Sequence, residues 1–213
     1  MKVYKSRARM ALNYVHGDVL DIGCVGMGKN DVVGGEDFIH GEIKKRAKTL
    51  TGLDINAVGA KRMNEMGFNI IVKDAQEPYD LGRTFDTIVS EENIEHIANL
   101  KTYLENIHKH LKDDGTLIVT TPNINCLDYM IHMFIWGKMR VNQYHTHYHT
   151  VDTIKYLLES YGFEIVKLDI FQAINWRIQN FGGKIAYFLV RPFPKRFGRN
   201  MLIIAKKKSK KVD

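Results

Sequence analysis

Val19-Leu-Asp-Ile-Gly-Cys-Val-Gly-Met-Gly28 is a short apolar run that breaks into a glycine-rich turn. An apolar run bounded by a turn signal reads as a buried strand. Gly23, Gly26 and Gly28 lack a Cβ, so the backbone there can adopt positive φ and approach a ligand closely. Asp21, inside the run, offers a carboxylate to a cationic or hydroxyl group. By itself the pattern leaves alternatives open, because a glycine-rich turn after a strand also serves dinucleotides or is simply a turn.

Outward from this stretch the chain alternates strands with helices. Leu50-Thr-Gly-Leu-Asp-Ile55 is a second apolar run ending on an acid, and 69–72, 85–90 and 116–121 are three more. Ile39, Ile43 and Ala47 predict a helix over 38–49, while Val58, Met63 and Met66 predict one over 57–66. A further helix spans about 100–111. Beyond a less regular stretch at 123–150, a helix over 151–161 has Thr150 or Asp152 as N-cap and Gly162 as its stop. Strands at 163–168 and 201–205 follow. Repeated strand–helix units imply a doubly wound α/β sheet, mostly parallel and covered on both faces, with ligands at the carboxyl ends of its strands. Asp54 and Asp74 both fall at such ends. Asp54 can accept from both hydroxyls of a ribose, or cap a helix; Asp74-Ala75 can read an adenine edge, or be only a turn.

At 213 residues, 45% hydrophobic and 26% charged, the chain suits one folded domain. Cys24 and Cys126 stand far apart without a CxxC pair, so free thiols in a reducing compartment are expected. The basic opening lacks the apolar centre of a secretory signal, and the apolar run at 185–190 is far shorter than the roughly 20 residues that cross a bilayer. The net charge of +7 is concentrated at the end: from Arg177 onward eleven Lys or Arg face one acid, leaving 20 against 23 before it. A solvated lysine-rich tail accounts for this, with an anionic partner as the alternative.

The pieces Leu20-Asp-Ile-Gly-Cys, Gly52-Leu-Asp-Ile, Lys73-Asp-Ala, Phe85-Asp-Thr-Ile-Val-Ser, Ile94-Glu-His-Ile, Leu111-Lys-Asp-Asp-Gly-Thr-Leu and Thr120-Thr-Pro-Asn occur in one order. Over residues 15–170 this order resembles the class I S-adenosylmethionine-dependent methyltransferases. The resemblance implies a Rossmann-like sheet of seven strands, mostly parallel, with the last antiparallel. It places Asp21 and Gly23 beside the methionine part of the cofactor, Asp54 beside the ribose, and Asp74 with Ala75 beside the adenine. Cys24, Gly26, Ile55 and Glu91 complete the expected cofactor-facing set. Two departures stand out. The family's Gly-x-Gly-x-Gly is here Gly23-Cys-Val-Gly26-Met-Gly28, and Asp54 follows Asp21 by 33 positions where a compact unit has about 20. Residues 29–36 lengthen the turn and could close over the cofactor. A nicotinamide-dependent dehydrogenase is the competing use of such a sheet, opposed by the later Glu-His and Thr-Pro-Asn pieces.

On the acceptor side, His96 sits just past the fourth strand, where a base can serve a hydroxyl acceptor; packing at a helix start is the plainer role. His145, His147 and His149 would share one face of an extended segment, as bases, metal ligands or surface histidines. His96, His145 and His149 are the candidate catalytic residues. Glu92, Glu95, His96 and His145 resemble the two-Glu, two-His metal sites of small-RNA 2′-O-methyltransferases, and in part the metal-binding ubiquinone-pathway O-methyltransferases. That resemblance implies Mg²⁺ or Mn²⁺, although Glu-His here also occurs in relatives without metal.

The Met- and aromatic-rich run at 126–144 reads first as core packing of an irregular helix and second as part of a substrate lid over 126–150. Residues 174–197 form an accessory amphipathic segment, either packed on the sheet or interfacial. One methyltransferase domain is thus expected over 1–205, with a basic tail at 206–213. The expected activity is O-methylation of a small hydroxylated, glycan or lipid-linked acceptor, in the cytoplasm or peripherally at a membrane. An RNA methyltransferase and a non-catalytic cofactor-binding partner subunit are the alternatives.

Overall fold

The computed structural model describes residues 11–25, 38–139, 142–171 and 197–208. Seven strands form one sheet: β1 (Asp18–Ile22), β2 (Thr49–Asp54), β3 (Ile70–Val72), β4 (Phe85–Glu91), β5 (Leu111–Pro122), β6 (Phe163–Phe171) and β7 (Asn200–Lys207). Their order is β3-β2-β1-β4-β5-β7-β6. The first five pair in parallel, and β7 runs antiparallel between β5 and β6, as the resemblance implied.

Alternation along the strands splits the core. Leu20, Ile22, Ile88, Leu117, Val119 and Ile203 pack on one side of the sheet with Tyr103, Leu104 and Ile107 of α3 (Leu100–His110) and Ile154 and Leu158 of α5 (Val151–Ser160). Val19, Val89, Ile118, Leu202 and Ile204 pack on the other with Leu12, Val15 and Ile43 of α1 (Ile39–Lys44). Side chains two apart along a strand share a face, so Asp21 joins Val19 on the α1 side. The remaining helices are α2 (Ala57–Glu65) and α4 (Leu127–Trp136). Three helix starts are capped by side chains: Asn56 accepts from Gly59 N, Asn99 from Thr102 N, and Thr150 forms a capping box with Thr153.

Three expectations change. The helix over 38–49 shortens to the six residues of α1. The basic tail drawn from 206 begins inside a strand. Lys206 and Lys207 pair with Glu164 and Phe163 of β6, and Lys207 Nζ bonds Asp113 at 3.2 Å. Edge pairing continues as long as β6 supplies backbone partners, whatever the charge of the side chains. The run at 126–144 does not pack as core: within α4 only Tyr129 is buried, and Met130, Met133, Phe134, Ile135 and Trp136 are exposed. Residues 26–37, with Gly26, Gly28 and the 29–36 loop, lie outside the described residues, as do most of 174–197 and the tail from 209.

Candidate active site

The parallel pairing of β1 to β5 brings their carboxyl ends to one edge. After Ile22 the chain turns at Gly23, whose φ is +80° and whose N–H donates to Leu53 O at 2.8 Å. A Cβ on Gly23 would lie 2.8 Å from the Asn93 side chain, so the turn requires glycine on two counts. Gly23→Ala is expected to cost about 1–2 kcal/mol of stability from the left-handed backbone alone. It should also weaken S-adenosylhomocysteine binding, with thermal melting and calorimetry reading the two effects.

Asp54 is 8% exposed at the tip of β2. Its Oδ2 accepts from Val25 N and its Oδ1 from Asn56 N, both at 2.8 Å. The carboxylate therefore ties the glycine turn to the start of α2, while the N-cap role falls to Asn56. Each oxygen retains a further lone pair for a hydroxyl. Beside it Ile55 is 66% exposed, an apolar surface on which an adenosyl ring could rest. At the tip of β3, Asp74 Oδ1 accepts from Gln76 N at 2.9 Å, and Ala75 is buried with its carbonyl accepting from Asn106 Nδ2. Glu91, half-buried, closes β4. Burial, then the charges of Asp21 and Asp54, push the Cys24 thiol well above its ordinary range, so it stays a neutral lining group.

Asp21 has a partner that the sequence did not disclose. Its Oδ2 lies 2.7 Å from Nδ1 of His40, and both residues are buried. Asn93 was also missed. It donates to Tyr103 Oη at 3.1 Å, and that hydroxyl donates to Ser90 at 2.7 Å, which fixes the segment after β4 against Gly23. No spacing rule marks either residue, because both meet the turn through the fold.

Past β4, Glu95, His96 and His145 come together, each offering a ligand atom, with all of these atoms within 4.8 Å of one another. The His96 and His145 rings stand edge to face at 4.7 Å. Buried Glu95 accepts from Thr121 Oγ1 at 3.0 Å through Oε2. Its carbonyl accepts from Thr146 N and His147 N, which anchors the histidine segment over β5. His96 Nδ1 lies 2.9 Å from Tyr144 O. A carbonyl only accepts, so Nδ1 carries the hydrogen, and in the neutral ring Nε2 is the acceptor. Glu92, the fourth member of the expected set, lies outside this group: its Oε1 accepts from Asn200 Nδ2 of β7 at 3.0 Å.

The three histidines after α4 divide. His145 turns to His96, its ionisation depressed by burial and then by the His96 charge. His147 and His149 stack at 6.1 Å, and His149 bridges Asn123 at the end of β5. Burial, then His147, hold buried His149 at about 4 instead of 6.5, and its Nε2 has no partner among the described residues. The unfolded chain takes up that proton at the ordinary value and the folded chain resists it. The stabilisation is therefore complete above 6.5 and is lost as pH falls toward 4. Urea midpoints should show a loss of about 3 kcal/mol across this window that His149→Gln removes.

A family model described as a methyltransferase domain matches residues 3–168. The mitochondrial ubiquinone biosynthesis O-methyltransferase of Bos taurus is 39% identical over 61 residues, 29% of this chain and 15% of that protein, so the chain spans a small part of that relative. The solved S-adenosylmethionine-dependent methyltransferase of Archaeoglobus fulgidus has a TM-score of 0.63 at 22% identity, covering 95% of this chain and 92% of its own. The N-methyltransferase NodS of Bradyrhizobium japonicum WM9, in complex with S-adenosyl-l-homocysteine, has a TM-score of 0.60 at 16% identity, covering 95% and 86%. These two structures are alike in fold.

Proposed function

Because the chain belongs to the class I S-adenosylmethionine-dependent methyltransferases, matched by the methyltransferase-domain model over residues 3–168, we propose that it methylates a hydroxyl on a small-molecule, glycan or lipid-linked acceptor. The observation that carries this reading is the Glu95, His96 and His145 group beside the ends of β4 and β5. An amine can be neutral and nucleophilic without help, whereas a hydroxyl gains from a base or a cation as it attacks.

The bound cofactor supplies an electrophilic methyl on a sulfonium. Asp54 would accept from the ribose hydroxyls, Asp74 with Ala75 would meet the adenine, and Asp21 would face the cationic methionine end. Gly23 is required at this turn by its φ and by the Asn93 side chain packed against it. The protein aligns the acceptor oxygen with the methyl and excludes water. His96 Nε2 would take the proton of the acceptor hydroxyl as it attacks. The Nδ1–H bond to Tyr144 O fixes that tautomer.

The same three side chains could instead hold a divalent cation. Two imidazoles with one carboxylate suit Mn²⁺ better than Mg²⁺, which prefers an all-oxygen shell. Glu92 is not needed in that set. The exposed apolar side chains of α4, Met130, Met133, Phe134 and Trp136, support an acceptor with an apolar portion. Among the described residues no helix is long and apolar enough to cross a membrane.

The test is a screen of phenolic, glycan, lipid-linked, amine and RNA acceptors with purified protein and S-adenosylmethionine, read by mass for a gain of one methylene. Products confined to hydroxyl acceptors support the proposal. Methylation confined to amines or RNA overturns it.

A further inference from the structure

His40 is a buried, potentially charged ring that the reading above does not use. It lies on α1 at 2% exposure, with Nδ1 2.7 Å from Asp21 Oδ2. A carboxylate oxygen accepts, so the hydrogen of this bond sits on Nδ1. Nε2 has no partner among the described residues. Phe38 and Phe68 stand around the ring with centroids at 6.3 Å and 5.3 Å. The sheet makes space for it: a Cβ on Gly52 of β2 would lie 3.0 Å from His40 Cε1 and 2.6 Å from Cys24 Sγ.

Placing a polar ring in an apolar box with one nitrogen unpaired is unfavourable compared with an aliphatic side chain of similar size. What the arrangement provides is a carboxylate fixed in direction. Asp21 is on β1 between β2 and β4, two residues before the Gly23 turn. Its Oδ1 carries no hydrogen bond among the described residues.

We infer that His40 is a positioning residue for the cofactor: its Nδ1–H holds Asp21 so that the second carboxylate oxygen is presented to the cationic amino group at the methionine end. This rests on the cofactor occupying the edge formed by β1 and β2. His40 acts through Asp21 and touches no reacting atom. The pair resembles in logic any buried imidazole–carboxylate couple in which one partner orients the other.

The test is calorimetry of S-adenosylhomocysteine against the full chain and against His40→Asn, His40→Gln, His40→Leu, Asp21→Asn and the His40→Leu/Asp21→Asn double variant, with thermal melting in parallel. An Asn amide nitrogen falls near the position of Nδ1, whereas the Gln amide reaches toward that of Nε2. The expected result is binding by His40→Asn within about threefold of wild type. Binding by His40→Gln and His40→Leu should be weaker by about tenfold or more, the loss of one charge-assisted hydrogen bond. In the Asp21→Asn background, His40→Leu should add nothing further.

Equal affinity in wild type and His40→Gln, equal losses for the Asn and Gln variants, or the same His40→Leu loss with and without Asp21 would each overturn the inference. If His40→Leu melts too low to measure, the Asn and Gln comparison decides. Absence of binding by the wild type would count against the cofactor site itself, a distinct failure.

Discussion

Asp54→Ala is expected to weaken S-adenosylhomocysteine binding by roughly a hundredfold or more in calorimetry. Two charge-assisted hydrogen bonds to ribose hydroxyls, at about 1.5–3 kcal/mol each, convert to that range. The substitution also leaves Val25 N and Asn56 N without their acceptor, so the glycine turn and the start of α2 lose their shared anchor. Asp54→Asn keeps one acceptor oxygen and should fall between wild type and Ala. Neither variant should lower the melting temperature as much as loss of a core side chain, because Asp54 lies at a strand tip. If Asp54→Ala binds as tightly as wild type, the ribose role is excluded.

His96→Ala should lower kcat by about 10²–10⁴-fold, the usual contribution of a positioned acid–base group. Binding of S-adenosylhomocysteine should remain within about twofold, since among the described residues the contacts of the ring are with Tyr144 O and His145 and not with Asp21, Asp54 or Asp74. The base and metal roles are then separable by chelation. Under a base role, dialysis against EDTA leaves wild-type turnover intact, and Glu95→Gln produces a smaller defect, because it changes only the carboxylate bonded to Thr121 and keeps the backbone carbonyl that anchors the histidine segment. Under a metal role, EDTA abolishes turnover, Mn²⁺ restores it, and Glu95→Gln is as damaging as His96→Ala. Full activity in His96→Ala would remove both roles.

The exposed face of α4 bears on acceptor size. The run at 126–144 carries the residues of a core helix, and composition alone favours burial. The chain nevertheless leaves β5 at Pro122, binds Asn123 to the backbone around Gly198 and Arg199, and leaves most of the apolar side chains of α4 exposed. Only Tyr129 reaches the interior, with Arg199 over its ring. Under the proposed function, these exposed apolar side chains would meet the apolar portion of the acceptor.

The alternation of apolar runs with 3.6-period stretches determined the doubly wound sheet, because a parallel strand buried on both faces must be apolar throughout and each crossover needs a helix. Strand-tip position marked Asp54 and Asp74, since an acid ending such a run can face only the ligand edge or a turn. The Glu-His piece after β4 was legible for the same reason. Tertiary structure alone decided what those groups meet. His40 reaches Asp21 because alternation along β1 turns that carboxylate toward α1, and because Gly52 on the neighbouring strand leaves a space; no pattern within either segment encodes the pair. Likewise, the loop anchored by the Glu95 carbonyl selects His145 as the neighbour of His96, while pairing with β7 draws Glu92 away to Asn200. Asp21 and His40 are 19 positions apart, His96 and His145 are 49 apart, and Glu92 and Asn200 are 108 apart; they meet only after folding, and their side-chain chemistry leaves no periodic trace by which sequence could have matched them.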